Sequence, residues 1–98
     1  MTVEIIGVGI FREILQRSKM PLEIKPVAGN PVTVFTVLET LDVLYEGQFA
    51  KELYLEDGKL NLWTRIMLNG RDIRFLDEDK LFVYEGDTIL ISSVMAGG

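Results

Sequence analysis

One amphipathic helix is the feature that most restricts the fold of this 98-residue chain. After Thr33, apolar residues recur with helical spacing at Val34, Val37, Leu38, Leu41, Leu44 and Tyr45. Thr33 is a suitable N-cap, and Gly47 is a suitable stop. Such a stripe is far more often core than a cofactor groove, so we expect this face of the helix to be buried. Residues 12–17 and 49–55 predict only short helical pieces.

The segments around the helix alternate apolar and polar residues, which predicts strands. Thr2–Phe11 is the first, with one face formed by Val3, Ile5, Gly7, Gly9 and Phe11 and the other by Glu4, Ile6, Val8 and Ile10. The two glycines on the first face predict close packing of a helix. Leu22–Val27 is the second strand, and Pro26 places it at a sheet edge. Leu60–Leu68 and Arg71–Leu76 flank Asn69-Gly70, a strong hairpin signal.

The order of these elements favours a sheet that holds one helix on one face. The first strand and the last, which begins after Asp87, are the most continuously apolar stretches. Strands buried on both faces have this character, so we expect the two to be central and parallel. The sequence therefore predicts one α+β domain, residues 1–98, with the β-grasp (ubiquitin-like) fold: a mixed sheet packed on one main helix, and a flexible tail at about 94–98.

Composition excludes several kinds of site. The chain has neither cysteine nor histidine, which rules out a disulfide framework, thiolate or histidine-ligated metal and a Ser-His-Asp relay. We therefore expect neither an enzyme in its own right nor a bound cofactor or metal. The net charge of −5 disfavours nucleic acid as a partner. The longest apolar runs fall short of the ~18 residues of a membrane span, which favours a cytoplasmic protein.

The chain ends on Gly97-Gly98, after Val94-Met95-Ala96. Glycine has no Cβ, so such an end is thin, and its carboxylate can enter a narrow channel. An unremarkable frayed terminus would look the same. Beside this tail, Ile6 and Val8 on the outer face of the first strand and Leu90 and Met95 near the end of the last are candidates for a contact surface. Coverage by the chain itself or by self-association is the alternative for these four residues.

Several short motifs, spread over most of the chain, resemble those of the sulfur-carrier family of ubiquitin-like proteins. That family includes the small subunit of molybdopterin synthase and the thiamine-pathway carrier. The matching pieces are Arg12-Glu13-Ile14, Leu55–Leu60, Leu68–Arg71, Glu85–Ile89 and Val94–Gly98. The Ala-Gly-Gly ending favours the molybdopterin branch, although Ser92-Ser93 stand where that branch often has prolines preceded by an aromatic residue.

The resemblance implies a carrier role for Gly98. An E1-like adenylyltransferase would use ATP and Mg²⁺ to adenylate its carboxylate, and a sulfur donor such as a cysteine desulfurase or rhodanese would supply the sulfur of a thiocarboxylate. Gly97 would give the tail access to the active site of the molybdopterin synthase large subunit, with Ile6, Val8, Leu90, Met95 and Ala96 in partner contacts. A thiamine-pathway acceptor, a modifier that forms isopeptide bonds through Gly98, and a plain interaction domain remain open alternatives.

Overall fold

The computed structural model describes residues 1–93. Five strands and three α-helices follow in the order β1 (Thr2–Gly7), α1 (Ile10–Leu15), β2 (Lys19–Glu23), α2 (Val34–Leu44), α3 (Gln48–Leu53), β3 (Thr64–Leu68), β4 (Arg71–Asp72) and β5 (Thr88–Ser93). Two short 3₁₀ helices, Ile73–Phe75 and Glu78–Lys80, connect β4 to β5. Within the described range, no helix is long and apolar enough to cross a membrane.

The sheet has the order β2-β1-β5-β3-β4, with β1 and β5 parallel at its centre. The prediction that the first and last strands are central and parallel is therefore confirmed. Their inward side chains, Val3, Ile5, Ile89 and Ile91, are almost fully buried. Every residue of β5 is paired on at least one side, because β1 pairs with it from Thr88 to Ile91 and β3 runs antiparallel to it from Ile89 to Ser93.

Helix α2 packs its apolar stripe into the core, as predicted. Val34, Val37, Leu38 and Leu41 are buried. The helix begins with a capping box in which Thr33 and Thr36 exchange backbone-to-hydroxyl hydrogen bonds of 3.1 and 3.3 Å. These bonds satisfy backbone amides that have no partner within the helix. Beyond Leu41, the half-buried Tyr45 still packs against the core, whereas Leu44 is exposed, contrary to the prediction.

The prediction that the first strand runs to Phe11 is wrong. Strand β1 ends at Gly7, and Phe11 reaches the core from α1. Gly9 does not lie on the inner face: it is exposed and turns the chain with φ 66°. The close approach predicted at Gly7 is confirmed, because a Cβ placed there would lie 2.7 Å from Leu15 Cδ1 and 3.0 Å from the backbone nitrogen of Arg12.

Other boundaries also differ from the predictions. The second strand is Lys19–Glu23 rather than residues 22–27, so the proline in this edge strand is Pro21 and not Pro26. Strand β3 begins at Thr64 rather than Leu60. Strand β4 has only two residues because the Asp72 side chain accepts a hydrogen bond from the Arg74 amide at 2.9 Å and starts a 3₁₀ turn. The hairpin turn at Asn69-Gly70 is confirmed by φ values of 50° and 85°.

Candidate partner-binding surface beside the end of β5

The outer face of the sheet carries an apolar row across its three inner strands. Ile6 of β1 and Leu90 of β5 are paired in register, and Met67 of β3 pairs with Leu90 from the other side. All three side chains are half-buried, although the core lies on the opposite face of the sheet. Charged residues bound the row, because Lys19 pairs with Ile6 and Asp72 with Met67. An apolar centre with a charged rim is the usual composition of a protein contact surface.

Val8 extends this surface towards the end of β5. It lies just after β1, where its backbone N–H donates to the Ile91 carbonyl at 3.0 Å. Its side chain is 45% exposed. The structure thus brings together the predicted contact residues Ile6, Val8 and Leu90, near the point where β5 ends at Ser93. The other predicted site residues, Met95, Ala96, Gly97 and Gly98, lie outside the described residues.

Two ion pairs flank the row, and in the second the Asp72 side chain is largely covered. Lys19 Nζ lies 3.4 Å from Glu4 Oε1, and Arg65 Nε lies 3.5 Å from Asp72 Oδ2. An exposed pair such as Lys19–Glu4 contributes at most about 1 kcal/mol to stability. These pairs fix where positive and negative charges lie around the row. Charges at the rim of a protein interface affect the orientation and the association rate of a partner more than its affinity.

Residues 1–93 contain no group of three or more side chains that could hold a metal ion, and no buried side-chain polar atom in that range lacks a hydrogen-bond partner. Burial raises the pKa of the Tyr54 hydroxyl, and the charges of Glu39 and Asp42 raise it further. This phenol therefore stays protonated near neutral pH and does not act as a base there.

Sequence reasoning missed Met67 of this face and also Trp63, which lies in the turn just before β3. Both precede the hairpin turn, in the stretch that was predicted as a strand from its composition. Period-two alternation through 63, 65 and 67 could have placed them on one face. Their position beside Leu90 and the end of β5 depends on the pairing of β3 with β5, which no local pattern encodes.

Comparisons with known proteins agree with this architecture. No family model matches the chain. Over its full 98 residues it is 26% identical to small archaeal modifier protein 3 of Haloferax volcanii, which it covers completely. Among solved structures, a Haloferax volcanii protein solved in solution superimposes with a TM-score of 0.76 at 28% identity, covering 100% of this chain and 87% of that one.

A second structural match comes from a complex. A chain of the BexX/CysO complex of Amycolatopsis orientalis superimposes with a TM-score of 0.71 at 26% identity, covering 98% of this chain and 99% of that one. The similarity therefore extends over the whole fold and is not limited to one motif. The mixed sheet, its central parallel pair and these full-length matches show that the chain has the ubiquitin-like β-grasp fold and is similar over its whole length to a small archaeal modifier protein.

Proposed function

We propose that this protein is a sulfur carrier whose C-terminal Gly98 carboxylate is activated and converted to a thiocarboxylate. One observation supports this most directly: β5 is paired with β1 as far as Ile91 and with β3 as far as Ser93, five residues before Gly98, and it ends near the exposed Val8 and the Ile6–Leu90 row. A rigid strand that ends next to an apolar contact surface suits a protein that presents its terminus to other enzymes. The full-length similarity to a small modifier protein supports the same role.

In this chemistry the protein supplies only the acyl group of Gly98, and its partner enzymes supply the catalytic groups. An E1-like adenylyltransferase joins the Gly98 carboxylate to the α-phosphate of ATP, and pyrophosphate leaves. The terminal sulfur of a persulfide on a cysteine desulfurase or rhodanese then attacks the acyl carbon, and AMP leaves. A thiol cleaves the resulting acyl disulfide and is oxidised to a disulfide, which frees the thiocarboxylate. Because the partners supply the Mg²⁺ and the acid-base groups, a carrier without cysteine or histidine can take part.

As acceptor we propose a pterin precursor, bound by the large subunit of molybdopterin synthase, in the cytoplasm. The Ala96-Gly97-Gly98 ending supports this assignment through the resemblance described above. Gly97 would pass through the narrow part of the channel, because it has no side chain. A thiazole precursor would receive the same sulfur by the same chemistry, so the thiamine-pathway acceptor is tested in parallel.

A second candidate function is protein modification, in which Gly98 forms an isopeptide bond with a target lysine. The observation that favours it is the match to small archaeal modifier protein 3 over the full length of both chains. Both functions need the same first step, adenylation of Gly98. They differ in the nucleophile that follows, a persulfide sulfur in one case and a lysine amine in the other.

Intact-mass spectrometry tests the shared step. The purified full-length protein is incubated with the E1-like enzyme of its own genome, ATP, Mg²⁺ and a persulfide donor, and the mass is expected to rise by the difference between sulfur and oxygen. A variant that lacks Gly98 is the matched control, and it should keep its circular dichroism spectrum and gain no mass. If the wild-type mass stays unchanged with every E1-like enzyme of the genome, the carrier function is refuted.

The acceptor is tested with the thiocarboxylated protein. Formation of the dithiolene product with the large subunit of molybdopterin synthase, and no product with a thiazole synthase, would support the pterin assignment. Lysates that instead contain a Gly98-dependent series of isopeptide conjugates would support the modifier function.

A further inference from the structure

A second exposed surface lies at the end of the sheet where β5 ends, and the contact residues predicted from the sequence do not include it. It consists of Leu62, Trp63, Arg65, Arg74 and Phe75, which we call the Trp63 surface. Leu62 is 78% exposed, Trp63 51% and Phe75 85%. Aromatic and arginine side chains dominate the affinity of many protein interfaces.

Hydrogen bonds join the two segments that form the Trp63 surface. Arg74 Nη2 donates to the Asn61 carbonyl at 2.7 Å, which ties the 3₁₀ helix Ile73–Phe75 to the loop before β3. Within that loop, the Trp63 amide donates to Asn61 Oδ1 at 2.9 Å. The backbone that carries Trp63 and Phe75 is therefore held in place before any partner arrives, which reduces the entropy lost on binding.

Strand register places this surface beside the end of β5 at Ser93. Trp63 directly precedes Thr64, and Thr64 is the residue of β3 that pairs with Ser93. Arg65, one residue further along β3, pairs with Ser92. The Trp63 surface thus lies at the start of β3, the strand that carries Met67, at the end of the sheet where β5 ends at Ser93.

The charge of this region is opposite to that of the rest of the chain. Residues 61–76 contain three arginines and one aspartate, whereas the remaining residues contain seven basic and fourteen acidic side chains. Arg65 is partly neutralised by Asp72 at 3.5 Å. The Arg74 guanidinium is bonded to the neutral Asn61 carbonyl and keeps its charge uncompensated in that contact. A partner that fits such a surface has an apolar pocket with an acidic rim.

From these observations we infer that the Trp63 surface is a docking site for the E1-like activating enzyme, with Trp63 and Phe75 in an apolar pocket and Arg65 and Arg74 against acidic side chains. This inference rests on the proposed function, because activation of Gly98 is the step that both the carrier and the modifier require. The activating enzyme must bind next to the end of β5 to reach Gly98, and the Trp63 surface lies there.

The test is binding of the full-length protein to the E1-like enzyme of its own genome, measured by isothermal titration calorimetry, together with thiocarboxylate formation. Trp63→Ala should weaken the Kd by at least about 30-fold, the loss typical of an interface hot spot, and Phe75→Ala by about tenfold. Arg74→Gln should make the Kd less sensitive to salt. At saturating enzyme the variants should still gain the sulfur mass, because Gly98 is unchanged.

Two controls separate docking from folding and general surface effects. Val43→Ala removes an exposed apolar side chain of α2, which is 82% exposed, and should leave the Kd unchanged. Lys80→Gln removes a cation from the 3₁₀ helix before β5 and should leave the salt dependence unchanged. Because Phe75 is more exposed than Trp63, Phe75→Ala tests the surface even if Trp63→Ala perturbs the fold.

The outcomes distinguish this inference from the proposed function. If wild type binds and gains mass, but Trp63→Ala and Phe75→Ala bind within twofold of it, the docking inference is overturned and the carrier function stands. A Trp63-dependent dimer seen by light scattering would show that a second copy of the chain covers the surface, and would also overturn the inference. If wild type neither binds nor gains mass, both proposals are refuted.

Discussion

Gly7→Ala adds only one methyl group, but it should destabilise the protein strongly. The added Cβ would lie 2.7 Å from Leu15 Cδ1 and 3.0 Å from the Arg12 nitrogen and the Phe11 carbonyl carbon, whereas carbon atoms in favourable contact are about 3.5–4.0 Å apart. Leu15 is buried, and two of the three contacts are to backbone of α1, which cannot rotate away. Either α1 or β1 must move.

The magnitude follows from two opposing effects. Overpacking of this kind costs about 1–3 kcal/mol, and we expect the upper part of that range because backbone must shift. Replacing glycine also reduces the entropy of the unfolded chain, which stabilises the protein by about 0.4–1 kcal/mol. The net loss of unfolding free energy is therefore about 2 kcal/mol, which lowers the Tm of a domain of this size by roughly 8–16 °C.

Urea unfolding followed by circular dichroism measures this loss, and Gly58→Ala is the matched control. A Cβ on Gly58 meets no atom within 4 Å, so only its backbone conformation, with φ +83°, disfavours alanine, by about 1 kcal/mol. If Gly7→Ala costs no more than Gly58→Ala, close packing of α1 on β1 is not what restricts position 7. An unchanged m-value would confirm that both variants unfold from equally compact native states.

Three further predictions concern the body of the protein. Thr33→Ala removes the hydroxyl that accepts from the Thr36 amide and should reduce the unfolding free energy by about 1 kcal/mol; thermal unfolding checks this, and no loss would mean that the capping box is not formed in solution. Leu41→Ala leaves a cavity under α2 and should cost about 2–5 kcal/mol in urea unfolding, whereas Leu44→Ala, at an exposed position, should cost much less. Because the folded-state pKa of Tyr54 is raised, the unfolded chain releases its proton first and stability falls as pH rises above about 10; Tyr54→Phe should flatten that fall, and equal slopes would contradict it.

The sequence predicted those parts of the fold that local patterns determine. The apolar residues of α2 recur every three to four positions, which fits a helix and not a strand. Asn69 and Gly70 both adopt positive φ, which the tight turn of a hairpin requires. The central parallel pair could be predicted because burial on both faces leaves an apolar signature in β1 and β5. Each of these signals is carried by consecutive residues, so no knowledge of tertiary contacts is needed to detect it.

The boundaries that were wrong lie where two patterns overlap. Val8–Phe11 continues the alternation of β1, but Ile10, Phe11, Ile14 and Leu15 also fit a helical face, and the turn at Gly9 selects the helix. In β2, alternation from Met20 to Ile24 fits several starting points. An edge strand has one neighbour, and only every second backbone amide of β2 points towards it. Pro21, which has no amide hydrogen, is tolerated because it occupies a position whose nitrogen points away from β1. The Ile24 amide donates to the Met1 carbonyl, so the backbone nitrogens of the even-numbered residues face β1 and those of the odd-numbered residues face away from it.

The candidate surface was predicted in part for the same reason. Alternation alone put Ile6 on the outer face, and the apolar end of the last strand suggested Leu90. That these two lie side by side, with Met67 beyond them and Trp63 near the end of β5, follows from strand register. Register depends on pairing between distant segments, which a single sequence does not specify strongly.

The length of the tail limits which surfaces an enzyme that acts on Gly98 can use. Pairing holds β5 as far as Ser93, and five residues follow. A fully extended chain spans at most about 3.3–3.6 Å per residue, so the Gly98 carboxylate can lie no more than roughly 18 Å from Ser93. Any active site that receives it must lie within that distance of Ser93. Tyr84 precedes the other end of β5, a further strand length away, and we expect it to stay free for a different partner while the tail is engaged.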